Sequence, residues 1–167
     1  MKASAAMTRN VVCVEPTDSL QDAYEIMTEW EICHLPVLEG QTLVGILSDR
    51  DVLIHATQGS DGALEIEPIS VSEAMTEDPV TCKASTSVTL ISETMIKHKI
   101  DSVPVVDEEH QLVGLVTSSD LLELLIAREG MSGAKPFQVK YSILAGARPG
   151  MTHTTAISRA KGGRVSI

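Results

Sequence analysis

Met7-Thr8-Arg9-Asn10-Val11-Val12 returns further along the chain as Met75-Thr76-Glu77-Asp78-Pro79-Val80. In the same register Ser19, Glu25, Met27, Ile32, Pro36 and Val37 meet Ser87, Glu93, Met95, Ile100, Pro104 and Val105. The register slips once, where Glu39-Gly40-Gln41-Thr42 is answered by Asp107-Glu108-Glu109-His110-Gln111. Leu43-Val44-Gly45 then matches Leu112-Val113-Gly114, and Asp51 matches Asp120. An internal repeat decides architecture before any local reading does, and one extra residue in a hairpin loop is a tolerated change.

Both copies carry the same periodicities. Val11 to Val14 is a short β-rich run, and Pro16-Thr17-Asp18 reads as a turn and helix start. Leu20, Ala23, Met27 and Trp30 then recur at helical spacing, with Gln21, Asp22, Glu25 and Glu29 on the solvent side. Val88, Ile91, Met95 and His98 form the matching stripe in the second copy. Leu35 to Leu38 and Leu43 to Leu47, joined by a polar turn containing Gly40, predict a hairpin, as do Val103 to Val106 and Leu112 to Val116. A closing helix follows Ser48 through Val52, Leu53 and Ala56, and another follows Thr117 through Leu121, Leu122 and Leu125. The order is β-α-β-β-α, twice. Residues 1–58 and 71–130 are the repeats and 59–70 the linker, with Gln58 to Pro68 showing no clear period. About 60 residues bury little core alone, so the expected fold is mixed α/β, with two repeats packed sheet to sheet about a pseudo-twofold axis.

The chain of 167 residues is 43% hydrophobic and 22% charged, the ordinary range of a globular protein. It holds no apolar run of the ~20 residues a membrane span needs, and Met1 to Asn10 lacks the apolar segment of a secretory signal. Cytoplasm is the expected compartment. Cys13, Cys33 and Cys82 form no CxxC pair and leave an odd thiol, so they read as small buried hydrophobes rather than a disulfide framework. The net charge of -10 is uneven. Residues 1–130 hold 7 Lys and Arg against 23 Asp and Glu, while residues 131–167 hold 6 bases and no acid. An acidic body with four aromatics in the whole chain is a poor surface for nucleic acid.

The chemistry-bearing feature is the junction of last strand and last helix in each copy: Gly45-Ile46-Leu47-Ser48-Asp49-Arg50-Asp51 and Gly114-Leu115-Val116-Thr117-Ser118-Ser119-Asp120. Both read G-h-h-S/T-x-x-D. Unpaired N–H groups and the positive end of the helix dipole welcome a phosphate there, and a carboxylate one turn on can accept from both hydroxyls of a ribose. The same pattern is a capping box, in which hydroxyl and carboxylate satisfy backbone donors. The residues alone leave both readings open.

The ordered set of Met-Thr-x-x-h-V, a helix ending in Met, h-x-x-h-P-V, a hairpin and G-h-h-S/T-x-x-D, present twice, resembles the tandem CBS-domain pair, or Bateman module. The resemblance covers residues 3 to 128. It implies a small CBS-only protein, a β-α-β-β-α fold in each repeat, and two clefts between the repeats. The implied ligands are AMP, ADP, ATP or S-adenosylmethionine, and no catalytic cofactor is implied. By the same resemblance Asp51 and Asp120 hold the ribose, with Ser48 and Thr117 near the phosphates. The cleft floor is formed by Val12, His34, Leu35 and Pro36 in one copy and by Val80, Ser102, Val103 and Pro104 in the other. Arg50 beside Asp51, against Ser119 beside Asp120, predicts that the first site prefers more highly charged nucleotides.

Such a module is expected to be a homodimer that passes a shape change to a regulated protein. No enzyme is expected, because no nucleophile, base or metal set is placed; Cys13, Cys33, Cys82 and His34 lack metal-ligand spacing. The alternative is a ligand-free dimerising adaptor whose S/T-x-x-D patterns are caps. Residues 131–167 form a basic, glycine-containing tail in which Phe137, Val139, Tyr141 and Ile143 alternate, predicting one strand at 137–144.

Overall fold

The computed structural model describes residues 1–60 and 62–128; the expected strand at 137–144 lies outside them. Along the chain run α1 (Ala3–Ala6), α2 (Leu20–Trp30), β1 (His34–Glu39), β2 (Thr42–Ser48), α3 (Asp49–Ile54), β3 (Ala56–Gln58) and β4 (Leu64–Ile66). They are followed by α4 (Val71–Ala74), β5 (Thr76–Glu77), α5 (Val88–His98), β6 (Ser102–Val106), β7 (Leu112–Thr117) and α6 (Ser118–Arg128). The fold is mixed α/β, built on small antiparallel sheets.

One compact unit is Val12–Pro79. Its α2 begins because the Ser19 hydroxyl accepts the Asp22 N–H at 3.0 Å. It ends where Glu31 turns into the left-handed region at φ 51°. Leu20, Ala23, Ile26 and Met27 line its buried face, while Gln21, Asp22, Glu25 and Glu29 are exposed. The face rests on the β1–β2 hairpin, whose register pairs His34 with Ser48, Leu35 with Leu47 and Pro36 with Ile46. Gly40 makes the turn at φ +63°, a conformation that glycine adopts without strain. Val14, Leu20, Leu35, Val37, Leu47, Val52 and Val71 share the core.

The second unit joins Met1–Val11 to the elements after Val80. Its core gathers Ala3, Met7, Ile91, Met95, Val103, Val105 and Val116. The segment that opens the first sequence copy thus packs with the helices and strands of the second copy. Thr8 and Leu115 exchange both backbone hydrogen bonds at 2.9 Å, Ala3 N–H donates to the Thr86 carbonyl at 2.8 Å, and Val88 N–H donates to that of Met1 at 3.0 Å. The later copy of the same segment does the equivalent within the first unit, as β5 pairs Thr76 with Ile46 and Glu77 with Gly45.

Some local expectations shift. The run Val11 to Val14 contributes a single bridge, Val14 to Val37, with Val14 N–H on the Pro36 carbonyl at 3.1 Å. The first closing helix stops at Ile54, and Ala56 opens the β3–β4 hairpin, which occupies much of the aperiodic stretch. His98 is exposed rather than on the buried face of α5, and Cys33 is exposed while Cys13 is buried. Burial pushes the Cys13 thiol up to about 12 and the Cys82 thiol to about 11. The inserted residue of the second hairpin places His110, not glycine, at positive φ (62°). Asp107 holds that turn by accepting from Glu109 N–H at 3.1 Å and Gln111 N–H at 2.8 Å.

The Met-Thr pair fits the repeat because each lies on a strand glycine. A Cβ built on Gly114 would stand 2.9 Å from the Thr8 carbonyl oxygen and 2.7 Å from the Met7 sulfur. At Gly45 the Met75 sulfur would be 2.5 Å away but the Thr76 carbonyl 3.1 Å. A thioether can swing aside; a bonded backbone carbonyl cannot. Gly114→Ala is therefore expected to cost ~2–3 kcal/mol in urea denaturation and Gly45→Ala ~1 kcal/mol. Equal costs would refute the difference in backbone clearance.

Candidate functional site

In the first unit β2 runs directly into α3, and Ser48 is both the last strand residue and the helix N-cap. The Asp51 Oδ2 accepts from Ser48 N–H at 2.8 Å and from the Ser48 hydroxyl at 2.6 Å, while Ser48 Oγ accepts the Asp51 N–H at 3.2 Å. This is a complete capping box. His34 pairs with Ser48 across the hairpin, so the half-buried His34 stands beside the junction. Arg50 is exposed in the first turn; its N–H donates to Asp49 Oδ1 at 2.8 Å.

The second unit repeats the arrangement. Asp120 Oδ2 accepts from Thr117 N–H and from the Thr117 hydroxyl, both at 2.7 Å, and Thr117 Oγ1 accepts the Asp120 N–H at 3.3 Å. Ser102 pairs with Thr117 as His34 does with Ser48. Ser119 is exposed.

Hairpin register therefore brings together Ser48, Asp51 and His34 in one unit and Thr117, Asp120 and Ser102 in the other. Leu35, Pro36, Val103 and Pro104 follow along the same strands and are all buried; Leu35 and Val103 belong to the cores of their units, and Pro36 and Pro104, next along each strand, point to the opposite face. Val12 packs against the core of its unit and Val80 is exposed. No backbone bridge ties either one to its junction among the described residues.

The two junctions differ in ways the motif hides. Asp51 is half-buried, whereas Asp120 is 7% exposed. Burial pushes the Asp120 carboxyl above its ordinary range, opposed by the bonds from Thr117 and from the side chain of Thr8. Glu123, one turn along α6, is likewise raised by burial and by the Asp120 charge. In the first copy the position of Glu123 is held by Ile54. Thr8 and Glu123 were not legible as site residues, because Thr8 reaches Asp120 only through the exchange of the opening segment. Among the described residues no group of three or more His, Cys, Asp or Glu is placed to hold a metal ion.

Removing each cap separates the two settings. Ser48→Ala is expected to cost ~1 kcal/mol, the ordinary loss of an N-cap. Thr117→Ala also strips a buried carboxylate of a donor and is expected to cost ~2–3 kcal/mol. Urea denaturation that ranks them in the opposite order contradicts the difference in burial.

The CBS domain model matches residues 3–56 and 71–127. An inosine-5'-monophosphate dehydrogenase of Korarchaeum cryptofilum is 37% identical over 120 residues, which are 72% of this chain and 23% of that protein. The chain thus spans about a quarter of the length of such relatives. The CBS domain pair of protein MJ0100, solved with 5′-methylthioadenosine and S-adenosyl-L-methionine, aligns at TM-score 0.66 and 25% identity over 77% of this chain and 98% of its own. CBSX2, solved with AMP, aligns at TM-score 0.69 and 25% identity, also over 77% of this chain and 98% of its own. This chain belongs to the CBS-domain family and carries two CBS repeats in tandem.

Proposed function

We propose that this protein is a regulatory module that binds adenosine nucleotides at its strand-to-helix junctions, with Asp51 and Asp120 as candidate ribose acceptors. The observation that carries this reading is that CBS pairs of the same fold were solved with AMP and with S-adenosylmethionine and methylthioadenosine, ligands that share the adenosine moiety. The junction chemistry is compatible: a carboxylate offers about four lone-pair sites, and the Asp51 box engages Oδ2 alone. In this proposal His34, Leu35, Pro36 and Val12 flank the first junction, and Ser102, Val103, Pro104 and Val80 the second. Ser48 and Thr117 face the 5′ substituent. Arg50, against Ser119, makes the first junction the better host for ATP and ADP.

A module of this kind acts without catalysis. The dehydrogenase relative matches over 23% of its own length, so its activity is not carried over. Output is a shift between arrangements of the protein that a regulated partner reads. We place the module in the cytoplasm as a homodimer. Among the described residues no helix is long and apolar enough to cross a membrane. Leu122, Leu125 and Ile126 lie exposed at helical spacing on α6, a face suited to a second copy.

One observation favours the alternative of a ligand-free dimerising adaptor: both boxes satisfy their own donors. The two readings part in a thermal melt. A ligand near 100 times its Kd stabilises by about 2.7 kcal/mol, roughly 10 °C here. AMP, ADP, ATP or S-adenosylmethionine at millimolar concentration is expected to raise the midpoint of the parent and to leave the Asp51→Ala, Asp120→Ala double variant unmoved. No shift with any of them would favour the adaptor.

A further inference from the structure

The repeat register sets α2 and its cap Glu31 against α5 and its cap Lys99, and the two helices agree in their buried faces but not in their exposed ones. Ala23 and Met27 meet Ile91 and Met95, all buried. On the outer side Glu29 and Glu31 are answered by Lys97 and Lys99, and Asp22 by Leu90, every one of them exposed. The exposed residues of α2 and its cap include four acids and no base (Asp22, Glu25, Glu29 and Glu31), while those of α5 and its cap include Lys97, His98 and Lys99 against Glu93 alone. Helix-end physics does not ask for this inversion. Both helices end in the same left-handed cap, at φ 51° and 56°, where the negative end of the dipole favours the lysines of α5 and disfavours the carboxylates of α2. An exposed apolar surface lies beside each helix as well: Leu53 and Ile54 on α3, which packs on α2, and Leu122 and Leu125 on α6, which packs on α5.

Resting on the homodimer reading given above, which the nucleotide sensor and the adaptor share, we propose that two copies associate crosswise, with α2 and α3 of one copy facing α5 and α6 of the other. The apolar surfaces do not choose this orientation, because Leu53 and Leu122 occupy equivalent positions and each can pack on itself or on the other. Charge does choose. A like-with-like dimer sets the carboxylates of α2 against the same carboxylates of the second copy, and Lys97 and Lys99 against themselves, so that close pairs repel at both helices. In the crosswise dimer Glu29 and Glu31 of one copy meet Lys97 and Lys99 of the other, and a two-fold axis forms each of these contacts twice. Exposed ion pairs are individually weak, so the apolar side chains supply the affinity and the charges supply the orientation. The reversal of sign between the repeats is what lets one chain present two complementary faces to its own copy.

Sedimentation equilibrium of the full chain at low and high sodium chloride tests the pairing. The parent is expected to dimerise, and more weakly in high salt, because screening removes an attraction. The Glu29→Lys, Glu31→Lys variant and the Lys97→Glu, Lys99→Glu variant are each expected to raise the dimer Kd about ten-fold, and the chain that carries all of these substitutions to return to within about two-fold of the parent. The substituted positions are exposed, and circular dichroism checks each fold; recovery in the combined variant is a result that misfolding cannot imitate. A dimer that tightens on Glu29→Lys, Glu31→Lys or in high salt is like-with-like. A Kd that neither double variant changes, or that the combined variant does not recover, places the interface elsewhere. Each of these results overturns the crosswise pairing and leaves the homodimer standing. A parent that sediments as a monomer overturns the homodimer reading, and the pairing with it.

Discussion

The approach of the Thr8 carbonyl to Gly114, closer than any side chain would allow, sets the arrangement of the second unit. Strand β7 has its hydrogen-bonding edge open to Thr8 because position 114 carries no Cβ. The opening segment settles there, Met7 fills the space above the glycine, and Ala3 is brought into the core with Ile91 and Met95. The same constraint operates between Gly45 and Met75-Thr76. Each unit is thus completed by the segment that begins the other sequence copy. A repeat unit of about 60 residues gains from this an extra strand edge and an extra buried side chain that it could not supply itself.

That exchange also governs the chemistry of the junctions. The capping boxes of Ser48 and Thr117 are set by helix-end physics: a helix start needs acceptors, and a hydroxyl with a carboxylate three residues on supplies them. What distinguishes the two ends is the surroundings. Thr8 arrives at Asp120 and Glu123 crowds it, whereas Asp51 has Ser48 alone and an exposed Arg50 beside it. Local sequence makes the boxes alike, and tertiary packing makes them different.

Much of this was legible without coordinates. The 3.6 period of Leu20, Ala23 and Met27 and the hairpin signals around Gly40 name elements whose boundaries hold to within a residue or two, since side-chain periodicity directly reflects which face is buried. The junctions were found because strand, cap and carboxylate are contiguous. Three features escaped. Val11 to Val14 bridges Val37 at Val14 instead of forming a strand, and the chain leaves one unit for the other around Val11. The β3–β4 hairpin lacks the apolar alternation of a buried strand, and Leu64 and Glu65 are exposed. The Thr8 side chain acts on the Asp120 carboxyl across a long sequence separation, which no local pattern reports.

Hydrogen–deuterium exchange of the full chain with and without saturating AMP tests the central claim most directly, because it reads the junction amides themselves. The account predicts slowed exchange at the amides of Ser48 to Asp51 and along the facing strand at His34 and Leu35, which disappears in Asp51→Asn. Unchanged exchange at those amides while AMP is demonstrably bound, or protection confined to other parts of the chain, would contradict it.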